Sequence, residues 1–158
     1  MSIFAIAILA LLVASALSAA AHVTKPAGTS TVKVGWLSEP SASGSRNGIT
    51  VQVWNTDTGA GITGLTDTLN ASILHGGATK TLSLTESDEA PGNYSAPILP
   101  TEPGLYTIRL SGNIESAAVS LDFAIEDVEN GADAAFPAKN ETSRAEERRG
   151  GKGGETGR

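Results

Sequence analysis

Cysteine is absent from this 158-residue chain, and its one methionine is the initiator. Disulfide staples, thiolate nucleophiles and soft sulfur ligands are therefore excluded. A small exported domain without disulfides must be held by its own core, which about 100 residues are enough to build. Clustered cations are missing as well. Between His22 and Val128 five Lys and Arg stand against eleven Asp and Glu, and from Glu129 to Arg158 the two signs balance at six each. Binding to phosphates needs the opposite pattern, so no nucleic-acid partner is expected. The chain also lacks a G-x-S-x-G elbow, an H-E-x-x-H pair and a P-loop. A Ser–His–Asp set would have to use His75, because His22 stands near a chain end. Glu86, Asp88 and Glu89 share one loop, which reads as a solvated acidic turn and lacks the denser Asp/Asn spacing of a calcium loop. The expectation is a non-enzymatic protein.

Long helices are missing too; neither a heptad pattern nor an extended amphipathic period appears. What is present begins with an apolar run, Ile3–Leu17, interrupted only by Ser15 and followed by Ser18-Ala19-Ala20-Ala21. Those small residues fit an export cleavage site, so residues 1–21 read as a signal peptide. Uncleaved, the same run is nearly long enough to anchor the chain in a membrane. Both readings place the domain outside the cytoplasm, with a membrane involved only through this N-terminal segment.

The middle of the chain alternates with a period of two. After an extended lead-in over 22–29, seven short runs are separated by turn signals. Thr31–Leu37 puts Val32, Val34 and Trp36 on one face; Gly48–Trp54 does the same with Ile49, Val51 and Val53. Leu69–His75 and Thr79–Thr85 flank Gly76-Gly77, a pair suited to the positive φ values of a tight hairpin. In the second of these, Lys80, Leu82 and Leu84 form one row. Asn93–Leu99 turns Tyr94, Ala96 and Ile98 inward, Leu105–Ser111 turns Tyr106, Ile108 and Leu110, and Ala118–Glu126 turns Val119, Leu121, Phe123 and Ile125. Seven one-sided strands bury their apolar rows only by folding into two facing sheets. The fold class is all-β, an immunoglobulin-like antiparallel sandwich of about seven strands over residues 22–137.

Trp36 and Tyr94 are expected in the core. Tyr106, after Pro103-Gly104, has the look of a tyrosine corner, whose hydroxyl bonds the backbone. Trp54 falls out of phase with its row and is expected to cover loop 55–65. Arg109 is expected to face outward as a cross-strand residue. Three N-x-S/T sequons, at Asn70, Asn93 and Asn140, are glycosylation candidates. Residues 138–158 are charged and Gly-rich, with too little apolar surface to offset the entropy of ordering, and read as a disordered tail.

The strings GWLSEP (35–40), RNGITVQV (46–53), HGGATKTLSL (75–84) and PGNYSAPILPTEPGLYTIRLSG (91–112), closed by VENGADAAFP (128–137), resemble a group of small exported domains of archaea and bacteria. These are similar to the YtkA-like and FixH-like β-sandwiches. The paired P-G-x-Y turns, Pro91–Tyr94 and Pro103–Tyr106, are the most specific elements. The resemblance implies an immunoglobulin-like fold, an extracytoplasmic location and, in some relatives, copper handling. Some members continue into a C-terminal membrane helix, from which this polar tail departs. Copper directs attention to the two histidines. Cleavage after Ala21 would make His22 the mature terminus, whose amine and imidazole suit Cu(II), and His75 with a carboxylate would complete a small tetragonal site. The leading expectation is a binding or interaction module of the cell envelope, its partner an envelope protein or surface ligand. The alternatives are an extracytoplasmic copper-binding protein using His22 and a structural surface component.

Overall fold

The computed structural model describes residues 22–137. The signal or anchor read over 1–21, the tail read over 138–158 and the sequon at Asn140 lie outside the described residues. Among the described residues nine strands form: β1 (His22–Ala27), β2 (Ser30–Trp36), β3 (Asn47–Asn55), β4 (Leu69–His75), β5 (Ala78–Leu82), β6 (Thr85–Glu86), β7 (Asn93–Ile98), β8 (Thr107–Ile114) and β9 (Ala117–Ala124). Six of the seven alternating runs each contain one strand; the run Thr79–Thr85 does not stay whole, because β5 ends at Leu82 and the chain crosses at Ser83-Leu84 to place Thr85 in β6 of the other sheet. The lead-in adds a further one, β1, which pairs with β2 from His22↔Gly35 to Ala27↔Ser30. The two-residue β6 pairs with Ser95 and Tyr94 of β7.

The strands make two antiparallel sheets, ordered β1-β2-β3-β7-β6 and β5-β4-β8-β9. In immunoglobulin lettering, β2-β3-β7-β6 is A-B-E-D and β5-β4-β8-β9 is C′-C-F-G, with β1 added at the edge of A. The core is what the alternation demands. Val32, Val34 and Trp36, Ile49, Val51 and Val53, Tyr94 and Ala96 come from one sheet. Ala71 and Ile73, Ile108 and Leu110, and Phe123 come from the other, and all are buried. Val119 and Leu121 on the edge strand β9 share that inward row but are only half-buried, packed against the core's margin.

Two tyrosines tie loops to this frame. The Tyr94 hydroxyl donates to the Ile62 carbonyl at 2.7 Å and accepts from the Leu65 N–H at 3.3 Å. That clamp brings Ile62 and Leu65, from the loop between β3 and β4, into the core. Burial raises the Tyr94 phenol pKa above its ordinary value, an effect the Leu65 N–H opposes and the Glu86 charge reinforces. Tyr106 donates to the Glu102 carbonyl at 2.9 Å, four residues upstream and just ahead of the F strand, which is the tyrosine-corner geometry the turn sequence suggests. Trp54 is half-buried, and its backbone bridges to Gly61 across the loop that follows β3.

Arg109 on β8 faces outward and forks onto Asp122 of β9 with two 2.7 Å hydrogen bonds. The bond from that guanidinium is the first cause holding the Asp122 carboxyl below the usual carboxylate range; desolvation opposes it, and the charges of Arg109 and Lys25 add to it. A depressed folded pKa contributes stability that is present above the ordinary carboxylate pKa and lost as pH falls through the depressed value. In Arg109→Ala, Asp122 is expected to titrate at a higher pH in an NMR pH series, and the variant's stability to lose less on acidification across that range. An unchanged Asp122 midpoint would show that the fork does not set it.

Candidate binding groove

The two long seams of the sandwich differ. Along one, β1 meets β9, and Lys25 bridges the sheets: its Nζ donates to the Asp122 carbonyl at 2.6 Å and lies 5.5 Å from the centre of the Phe123 ring. The opposite seam is open. There, among the described residues, β5 is the edge of its sheet, and β6 covers only Tyr94 and Ser95 of β7, leaving residues 96–98 without an outer strand neighbour.

A groove of about 440 Å³ occupies this open seam. One wall is the β4–β5 hairpin, and the other is the segment 98–102 that leaves β7. The hairpin exists because Gly76 and Gly77 take φ values of 53° and 84°, the two positive angles of a type I′ turn, so that His75 pairs with Ala78. From that register, Ile73 stands opposite Lys80 and Ala71 opposite Leu82, so all four leave their strands on the inner face; Ile73, Ala71 and Leu82 are buried there, and Lys80 stands exposed at the groove's rim. Lys80 is thus a cation on the inner face of an edge strand. Ile73, Ile98 and Leu99 supply the apolar lining, and Leu99 remains 47% exposed.

An aromatic pile closes the end of the groove. The His75 ring stacks on Tyr106 at 4.1 Å and 11°, and Tyr106 meets Trp36 edge-on at 5.6 Å. His75 Nδ1 lies 2.9 Å from the Leu105 carbonyl, which fixes the ring's orientation. Lys80 and Glu102 are the charged side chains among the lining residues, and no ion pair joins them.

The histidines are not brought together. His22 sits on β1 of the five-stranded sheet, with Nδ1 3.5 Å from Glu39 Oε1, whereas His75 belongs to the other sheet and is held by Leu105 and Tyr106. Among the described residues no group of three or more His, Cys, Asp or Glu is placed to hold a metal. A tetragonal copper site built from His22, His75 and a carboxylate does not fit this arrangement, because β1 borders the β9 seam while His75 ends the β4–β5 hairpin at the opposite seam. What remains of the copper expectation is His22 with Glu39, and it depends on a mature terminus between residues 21 and 22. Of the sequons described, Asn70 is exposed and Asn93 half-buried.

The groove itself is not evident from sequence. Its walls come from segments about 20 residues apart in the chain that face each other only after the sheets stack. The one sequence signal is Lys80, a lysine in an otherwise apolar row, which fits an inward-pointing charge at a sheet edge.

No family model matches the chain, and no curated protein matches it. Among solved structures, a DUF4426 family protein from Pseudomonas aeruginosa aligns over 70% of this chain and 96% of its own, at 13% identity and a TM-score of 0.49. No residue or activity is carried across from it, and the YtkA-like and FixH-like resemblance has no counterpart among these findings.

Proposed function

We propose that the domain is a non-enzymatic binding module acting outside the cytoplasm, and that the groove in its open seam is the binding surface. The observation that carries this is a cavity of about 440 Å³, within the usual range for ligand sites, lined by apolar side chains with a cation at its wall. Elsewhere the inner faces of both sheets are filled by buried side chains. Export rests on the apolar segment Ile3–Leu17 with its small-residue ending.

A general test uses a dye with an apolar body and an anionic group, anilinonaphthalene sulfonate, added to the natively folded chain begun at His22. Amide shifts in the ¹⁵N spectrum are expected to cluster at Ile73, Lys80 and Leu99 and to vanish in Leu99→Asp. Shifts scattered over the surface, or none, would sink the proposal. Adding Cu(II) to the same sample tests the competing metal reading. Selective broadening at His22 and Glu39, without any dye response at the groove, would favour that reading instead.

A further inference from the structure

Beside the groove runs an unused row of backbone donors and acceptors. The two-residue hairpin makes His75 and Ala78 a hydrogen-bonded pair, and the antiparallel ladder alternates from there. Ile73–Lys80 and Ala71–Leu82 are therefore the bonded pairs, while Thr79 and Thr81 turn their N–H and C=O groups away from β4. Among the described residues no strand lies on that side, since β5 is the last of its sheet. Both threonine side chains are exposed. A strand laid along this edge would gain the free backbone groups and would send every second side chain over the groove, beside Lys80.

We propose that β5 and the groove take up an extended segment of another protein by strand addition, and that this segment carries an apolar residue for the groove and an acidic residue for Lys80. The inference rests on the groove being the binding surface and names the class of its occupant. Lys80 is what selects the partner. It makes no ion pair with any described residue, so its ammonium is available to a carboxylate on the incoming strand. The same lysine disfavours a second copy of this chain. The two-fold register that uses Thr79 and Thr81 on both edges sets Lys80 directly opposite Lys80, and like charges facing each other across strands destabilise the pair. Glu102, the carboxylate among the lining residues, likewise opposes an acid placed on its own wall, which confines the acidic residue to the β5 side.

The experiment uses two synthetic eight-residue peptides of alternating Val and Thr, identical except for a central Glu or Lys, titrated into the chain begun at His22 and followed by ¹⁵N amide shifts. The Glu peptide is expected to perturb Thr79 to Leu82 and Leu99 and to bind about tenfold more tightly than the Lys peptide, the scale of one favourable cross-strand pair replaced by a repulsive one. Lys80→Glu should invert that preference. Thr81→Pro removes an outward N–H without touching the β4–β5 bonds, and should abolish binding of both peptides while leaving the urea midpoint nearly unchanged. Equal affinity for both peptides, or full binding by Thr81→Pro, would overturn strand addition. If the dye occupies the groove and neither peptide binds, the binding surface stands and this inference fails; if neither dye nor peptide binds, both fail. Concentration-dependent dimerisation lost on Thr81→Pro would assign the edge to a second copy and overturn the proposal.

Discussion

Replacing Trp36 by alanine is expected to remove about 3–5 kcal/mol of stability, the range for deleting a large aromatic side chain from a packed interior. Three contacts set that expectation. The indole is 1% exposed at the end of β2, its Nε1 donates to the Glu126 carbonyl at 2.8 Å, and it makes an edge-to-face contact with the Tyr106 ring. The hydrogen bond crosses from one sheet to the segment leaving the other, so alanine would leave both a cavity and an orphaned carbonyl. Native domains hold only about 5–15 kcal/mol in all, and a loss of this size should lower the melting temperature by about 10 °C or more. Chemical denaturation followed by circular dichroism measures it. Trp54→Ala, at a half-buried position, is the comparison and should cost distinctly less. A Trp36→Ala protein within about 1 kcal/mol of the parent would mean that the two sheets do not meet as described.

Gly92→Ala is expected to be strongly damaging for the addition of a single methyl group, costing about 3 kcal/mol or more from strain and overpacking together. Gly92 has φ 80°, in the left-handed region, and a Cβ there would run into the Val53 carbonyl, the Gly61 Cα and the Ile62 nitrogen. Those are backbone atoms, which cannot swing aside. Val53 N–H donates to the Gly92 carbonyl at 2.8 Å and Ile62 N–H to the Val53 carbonyl at 2.9 Å, so three segments cross at this point. Gly59→Ala separates the two causes. Gly59 has a similar φ, 72°, but a methyl group there would meet nothing within 4 Å. It should therefore show only the conformational penalty, about 1–2 kcal/mol. Urea midpoints of the two variants give the comparison directly, and equal losses would show that the crowding at Gly92 relaxes.

Why the sandwich can be read from sequence follows from these same contacts. Val32-x-Val34-x-Trp36 and Ile49-x-Val51-x-Val53 announce their inward faces because each strand has one wet and one dry side. Leu69–His75 matches β4 at both ends, since turn residues bound it. The alternation predicts that Leu105 opens its strand, but β8 starts at Thr107; Leu105 is 55% exposed, its carbonyl turned to His75. β1 reads only as a lead-in because HVTKPA has no apolar alternation and contains Pro26. It is an edge strand held by backbone pairing with β2 and by Lys25, neither of which leaves a periodic signature. Tyr94 is legible as a core residue but not as a clamp, because its acceptor Ile62 and donor Leu65 sit in a loop without a pattern. His75 invites a reading as a ligand, whereas its ring is committed to Tyr106 and Leu105. Residue type nominates it; the stacking partner lies 31 positions further along the chain.

The ends of the described segment have a consequence for how the groove is presented. His22 lies opposite Gly35, beside Glu39, and the closing stretch runs back past Ala42 and Ser43, with Glu129 N–H donating to Ser41 and Gly131 N–H to Ser43 Oγ. Gly44 N–H in turn donates to Pro100, a residue of the groove wall. Both exits and the groove therefore share one pole, while the turns at Gly28, residues 55–59 and Glu115 form the other. An attachment made close to His22 or Pro137 would therefore keep the groove on the side that bears it and turn the opposite turns outward.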